Sequence, residues 1–196
     1  MRLWILSDLH IEQSSWDIPV DEPEYDVLIA AGDIHDPLSD GVRWLAQRAG
    51  VHPVIYVPGN HEWYANSRRF TVIDEAQRGQ DIANALGVHL LQEAETMIDG
   101  VRFLGTTLWT DYAVFGHPAA GMHYARNWMN DHRIIFPYDK AKPLSPEMAL
   151  TWHERSLAWL KAKLQQPFTG KTVVVTHHLP HPGSCLLYTS PSPRDS

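Results

Sequence analysis

A single cysteine, Cys185, stands among 196 residues. That excludes a disulfide framework and makes a reducing, cytoplasmic setting the expectation. No apolar run approaches the roughly 20 residues that span a bilayer. The first such run, Leu3–Leu6, is cut by Ser7-Asp8 before it reaches the length of a signal-peptide core. Positive charge is also short: 16 Lys and Arg against 23 Asp and Glu leave a net charge of −7, the wrong sign for a protein that tracks nucleic acid by bulk attraction. Internal repeats are absent. In excess instead are histidine and tryptophan, with 12 and 8 residues. The histidines are scattered rather than tandem, and scattered imidazoles in an acidic chain raise the prospect of metal without locating it. The length and the 44% apolar content fit one globular domain with a real core.

Four apolar runs read as strands. Leu3–Leu6 fits a strand buried on both faces, as do Asp26–Ala31, Pro53–Val57 and Lys171–Thr176. Ser39 or Asp40 caps a helix through about Arg48, with Val42, Leu45 and Ala46 as its apolar stripe. A longer helical pattern covers Ser67–Leu86 and stops at Gly87. Residues 88–91, 96–98 and 101–104 read as short strands, the last two joined by an Asp99-Gly100 hairpin turn. Thr106–Leu144 is irregular and rich in aromatics. Ser145 then caps a helix over Pro146–Leu164, with Pro146 at its first position. Strands alternating with helices predict an α/β layered fold.

In such folds functional residues collect beyond the carboxyl ends of strands. Here those ends carry Asp8 and His10, Asp33, Asn60 and His61, and His177 and His178. Each has a plainer reading alone: Asp8 as a cap, Gly32-Asp33 as a turn, Asn60 as a left-handed turn residue. Together they form a regular set of carboxylate, imidazole and amide donors. Such donors suit hard and borderline divalent metals (Mn, Fe, Zn or Ni), and the lack of thiolate argues against a soft-metal site.

The blocks D-x-H (Asp8, His10), G-D-x-x-D (Gly32, Asp33, Asp36), G-N-H-E (Gly59, Asn60, His61, Glu62) and a strand ending in His177-His178 resemble the calcineurin-like metallophosphoesterases in order and spacing. Gly105–Thr110 and Met129-Asn130-Asp131 look like a bacterial branch of that family. The resemblance covers residue 1 to about 183. It implies two mixed sheets in a sandwich flanked by helices, an α/β/β/α arrangement, with two divalent metals at its crest. It further implies that Asp8 and His10 hold the first metal, that Asp33 bridges both, and that Asn60 and His177 hold the second. A bridging carboxylate lets two cations sit about 3.5–4 Å apart, where a shared hydroxide attacks phosphorus in line. His61 is then the catalytic side chain, donating a proton to the leaving oxygen or stabilising charge. Glu62 reads as an acceptor orienting His61.

Other residues are assigned from position. His178 reads as packing or as support behind the ligands, and His35 and Asp36 as loop residues or as support near the bridge. Trp109, Tyr112 and Arg133 fall in the 107–144 insertion and either line a substrate rim or form the insertion's own core. The domain is expected over residues 1–184. The Ser/Pro-rich end, 185–196, reads as foreign to it, with a natural tail as the other reading. The family closes its site with a G-H-x-H block after one more strand, and this sequence has none. The C-terminal part of the fold is accordingly expected to be incomplete, and the activity of this chain is a separate question from that of a full-length parent. The expected function is hydrolysis of phosphomonoesters or phosphodiesters of small phosphorylated molecules, with neither membrane nor nucleic acid as partner. The alternatives are a non-catalytic protein-interaction module on the same fold, and a dinuclear hydrolase acting on amide or guanidino carbon.

Overall fold

The most apolar stretches of the chain become the centre of its first sheet. In the computed structural model, which describes residues 1–66 and 69–181, β1 (Leu3–Leu6), β2 (Val27–Ala31), β3 (Val54–Val57) and β4 (Val88–Leu90) lie side by side in that order, all parallel. A second sheet pairs β5 (Ala94–Ile98) antiparallel to β6 (Val101–Thr106), and β6 parallel to β7 (Thr172–Thr176).

Strand periodicity splits the core in two. Val27, Ile29, Ala31, Ile55 and Val57 point one way and meet Phe103 and Val175 from the second sheet, with Leu91 from the link between the two sheets. Leu28, Ala30, Val54 and Tyr56 point the other way, onto α1 (Leu38–Arg48) and α2 (Val72–Leu86) through Leu38, Val42, Leu45 and Ala83. The outer face of the second sheet carries Leu104 against Leu160 of α5 (Pro146–Gln165). The result is the expected α/β/β/α arrangement, with side chains alternating at a period of two.

Several local expectations change. α1 begins at Leu38, preceded by Pro37 with no side-chain cap; instead the Ser39 N–H donates to Glu75 Oε1 of α2 at 2.8 Å. α2 begins later than Ser67, at Val72, because Thr71 and Asp74 close a reciprocal capping box. (Ser67 itself lies outside the described residues.) The hairpin turn at Asp99-Gly100 has φ of 47° and 75°, the paired positive values a two-residue turn of this kind requires. β1 is an edge strand rather than one buried on both faces, and Ile5 is 62% exposed. The insertion is more regular than expected: it contains α3 (Pro118–Trp128) and α4 (Asp131–Ile134). Among the described residues no helix is long and apolar enough to cross a membrane. The 185–196 stretch lies outside the described residues.

Candidate metal centre

Parallel registration brings three strand ends to one edge: Leu6 pairs with Ala30, and Ala31 with Val57. The loops that follow are stitched together by main-chain bonds. Asp8 N–H donates to Gly32 O, His10 N–H to Asp33 O and Ile11 N–H to Ile34 O, each at 3.0 Å. Asp8, His10 and Asp33 sit at φ of 56°, 47° and 55°. That left-handed region costs a non-glycine residue of order 1 kcal/mol or more and is held only where surroundings enforce it. Gly59 is required by close approach: a Cβ there would collide with Asp33 Oδ1 and stand 2.9 Å from His177 Cε1.

Glu62 is the clasp of these loops. It is 0% exposed, yet its carboxylate takes four hydrogens. Oε2 accepts from the N–H groups of Gly59 at 2.7 Å and Asp33 at 3.1 Å; Oε1 accepts from Ile34 N–H at 2.8 Å and Tyr56 O–H at 2.6 Å. Burial and the neighbouring charge of Asp33 push the Glu62 carboxyl upward, while these donors hold it down. Glu62 therefore fixes the backbone carrying Asp33 and Asn60. The expectation that it orients the His61 ring is corrected, because its lone pairs are committed elsewhere.

Asp33 is the hub. Its Oδ1 lies 3.5 Å from His177 Nε2 and accepts the His61 main-chain N–H at 2.9 Å. Its Oδ2 lies 3.8 Å from His10 Nε2 and 4.0 Å from His61 Nε2. Two donor groups share it: Asp8, Asp33 and His177, and His10, Asp33 and His61, each with ligand atoms within 4.8 Å of one another. Burial raises the Asp33 carboxyl from its ordinary range, opposed first by His177. Burial, then the nearby His10, lowers the His61 imidazole.

The donor set fits a divalent cation. His177 Nδ1–H donates to Ala31 O at 2.9 Å, which leaves the Nε2 lone pair facing outward. Asn60 Nδ2 donates to Asp131 Oδ1 at 2.9 Å, which turns its Oδ1 toward that same Nε2, 3.2 Å away. An imidazole lone pair, an amide oxygen and a carboxylate oxygen thus converge with no hydrogen between them, an arrangement that a positive charge relieves.

Residues 1–195 match the family model of the calcineurin-like phosphoesterases. The chain belongs to this family. It is similar to an uncharacterized protein of Acanthamoeba polyphaga mimivirus, 24% identical over 192 residues, with 89% of this chain and 66% of the viral one covered. The chain thus spans just under two thirds of that relative. Its fold is also similar to the crystal structure of phosphopantetheinyl hydrolase (PptH) from Mycobacterium tuberculosis, with a TM-score of 0.64, 24% identity, and coverage of 91% of this chain and 68% of that one. Divalent metal is implied by the family, and the two donor groups meet that implication.

The remaining candidates scatter. His178 turns from the donors: its main-chain N–H bonds Thr107 O at 3.0 Å and its ring lies 5.7 Å from that of Trp109. Burial lowers its imidazole to about 4. His35 Nδ1 is 2.7 Å from Asp36 O. The Asp36 carboxylate faces Asn66 at 3.4 Å and Arg69 at 3.9 Å, and burial raises it. The rim reading is corrected for Trp109, which is 4% exposed and stacks on Trp152 with ring centres 5.0 Å apart. Tyr112 directs its hydroxyl to His132 Nε2 at 3.3 Å, and exposed Arg133 donates to the carbonyl of Asn127 at the end of α3. Sequence reasoning missed Asp131 and Tyr64 around Asn60, and Glu12 beside His10. Asp131 had a signal, being part of a segment already marked as family-like, but nothing in its neighbourhood indicated a role.

Proposed function

We propose that this phosphoesterase hydrolyses phosphate esters of small molecules at a centre of two divalent metals, drawn from Mn, Fe, Zn or Ni, held over residues 1–184 with 107–144 as an insertion. The observation that carries this reading is the convergence of His177 Nε2, Asn60 Oδ1 and Asp33 Oδ1 as acceptors with no donor among them. The family resemblance would put Asp8, His10 and Asp33 on one metal and Asp33, Asn60 and His177 on the other, whereas the ligand atoms group here as Asp8, Asp33 and His177 and as His10, Asp33 and His61. When bound, the metals supply the positive charge that binds the phosphoryl oxygens and makes a water acidic enough to attack. Asp33 keeps the two sites in register through its two oxygens. His177 holds its Nδ1 proton against Ala31 and so keeps Nε2 available. His61 stands beside the donors with Nε2 toward them, placed, when its ring carries a second proton, to give a hydrogen to a phosphoryl or leaving oxygen.

The convergence of buried acceptors also weighs against the non-catalytic module, which has no use for them. Choice of substrate rests on analogy: the mycobacterial relative is a phosphopantetheinyl hydrolase, so a phosphopantetheinyl ester joins aryl phosphates as a probe. The test is elemental analysis of the purified chain together with hydrolysis of p-nitrophenyl phosphate, bis(p-nitrophenyl) phosphate and a phosphopantetheinyl ester. Chelator-sensitive turnover that Asp33→Asn abolishes is expected. Turnover insensitive to chelation, or metal content unchanged by Asp33→Asn, would overturn the reading.

A further inference from the structure

Glu12 stands behind the candidate centre, four residues after Asp8, and no family block includes it. Its side chain is only 14% exposed. Oε1 lies 3.6 Å from His10 Nδ1 and 4.0 Å from His61 Nδ1, and accepts from Gln13 Nε2 at 3.1 Å. Oε2 is buried with no hydrogen-bond partner, and so are both Nδ1 atoms. The His10 and His61 rings meet edge to face with centres 4.3 Å apart. Their Nε2 atoms both point to Asp33 Oδ2. Two imidazoles thus lie side by side between two carboxylates: Glu12 on the Nδ1 side, Asp33 on the Nε2 side.

A buried polar atom without a partner is costly, and the two unpartnered Nδ1 atoms both face the Glu12 carboxylate, whose Oε2 is unpartnered as well. The separations exceed hydrogen-bond length by roughly 0.4–0.8 Å, and contacts of this kind commonly tighten when a site is filled. A carboxylate behind a ligating imidazole holds its tautomer and its ring plane and strengthens its lone pair. Asp36 is a further acid on this side, near enough for the charges of Glu12 and His61 to act on it. Its direct contacts go to Asn66 and Arg69, not to either ring.

We propose that Glu12 is a positioning residue that accepts the Nδ1 hydrogens of both His10 and His61. It thereby presents both Nε2 atoms to the centre and couples a metal-holding ring to the reacting ring. The role assigned to each ring rests on the phosphoesterase reading above, but the contact itself does not.

Histidine tautomers read by long-range ¹H–¹⁵N correlation in metal-free protein, above the ordinary histidine titration range, test the contact without any activity. Both His10 and His61 should be Nδ1–H in the unchanged chain and in Glu12→Gln, which keeps an acceptor oxygen. Both should change to the Nε2–H form in Glu12→Ala. In the same variants, Mn²⁺ affinity by calorimetry should fall roughly 10–100-fold for Glu12→Ala and stay within a few-fold for Glu12→Gln. kcat should follow the affinity pattern at saturating metal, with KM little changed. Nε2–H rings in the unchanged chain, or tautomers that Glu12→Ala leaves alone, would overturn the proposal even if Glu12→Ala proves unstable. A chain that shows the expected tautomers yet hydrolyses no phosphate ester would sink the functional reading and leave Glu12 in place.

Discussion

Asn60 donates its side-chain amide hydrogen to Asp131, 71 residues further along the chain, at 2.9 Å. Tyr64 donates its hydroxyl to the same oxygen at 2.7 Å. An amide is nearly symmetric in shape, so only its partners decide which end faces the centre. Asp131, an acceptor, pins the nitrogen, and the oxygen is left for the metal. Asp131→Ala should release the amide and lower Mn²⁺ affinity roughly 10–100-fold. Tyr64→Phe removes the longer bond of the same amide nitrogen, to the Tyr64 hydroxyl at 3.3 Å, but leaves the one to Asp131, and should cost no more than a few-fold. Calorimetric titration of both variants decides this, and equal losses would show that the carboxylate does not set the orientation by itself.

Glu62 predicts a stability effect separable from chemistry. Its two oxygens each take two hydrogens. Glu62→Gln replaces one oxygen by an NH₂ that faces donors, so two buried N–H or O–H groups lose their acceptor. The expected cost is about 3 kcal/mol, or a melting temperature lower by roughly 6–12 °C for a chain of this size. Thermal unfolding of the metal-free proteins measures it. A loss of catalysis at unchanged stability would mean that Glu62 acts on the reaction instead of on the loops.

His61 is placed as well to bind metal as to assist reaction. Its Nε2 stands 4.0 Å from Asp33 Oδ2, against 3.8 Å for His10. Under the proposed role, His61→Ala lowers kcat by roughly 10²–10⁴-fold while metal content stays near that of the unchanged chain. Elemental analysis alongside steady-state kinetics separates the cases. Metal lost in step with activity would make His61 a ligand.

What the sequence disclosed and what it withheld follow from the range of the interactions. Asp8, His10, Asp33, Asn60 and His177 each close a parallel strand, and parallel strands in register carry their ends to one edge; chain order alone sufficed to group them. The layers were legible too, because the 27–31 and 54–57 runs are apolar at every position and had to be covered on both sides. Glu12 and Asp131 were missed because their partners are chosen by loop paths that no local pattern encodes. α1 misled in the same way: its N-terminus is capped from α2, by Glu75, where sequence reading looks for a local Ser or Asp. α3 escaped notice because Ala125 is its one buried residue, so it shows no apolar stripe. Trp109 sits in an aromatic-rich insertion, which left rim and core both open, and its packing against the rings of Trp152 and His178 decides for core.

His178 makes stability depend on pH. Burial, then the adjacent His177, lowers its imidazole from the ordinary 6.5 to about 4. In the folded state the ring therefore stays neutral where the unfolded chain would protonate it. The unfolded chain binds more protons between these two values, so stability rises with pH across that window. The contribution is fully present above about pH 6.5 and is lost as pH falls toward 4, amounting to at most about 3 kcal/mol. Denaturant unfolding of metal-free protein at several pH values should show this slope, and His178→Leu should flatten it, since leucine keeps the contact with Trp109 and carries no proton. The difference between the two proteins isolates His178 from His61, whose imidazole is lowered as well. Parallel pH profiles for the two would mean that the His178 ring reaches water when it protonates.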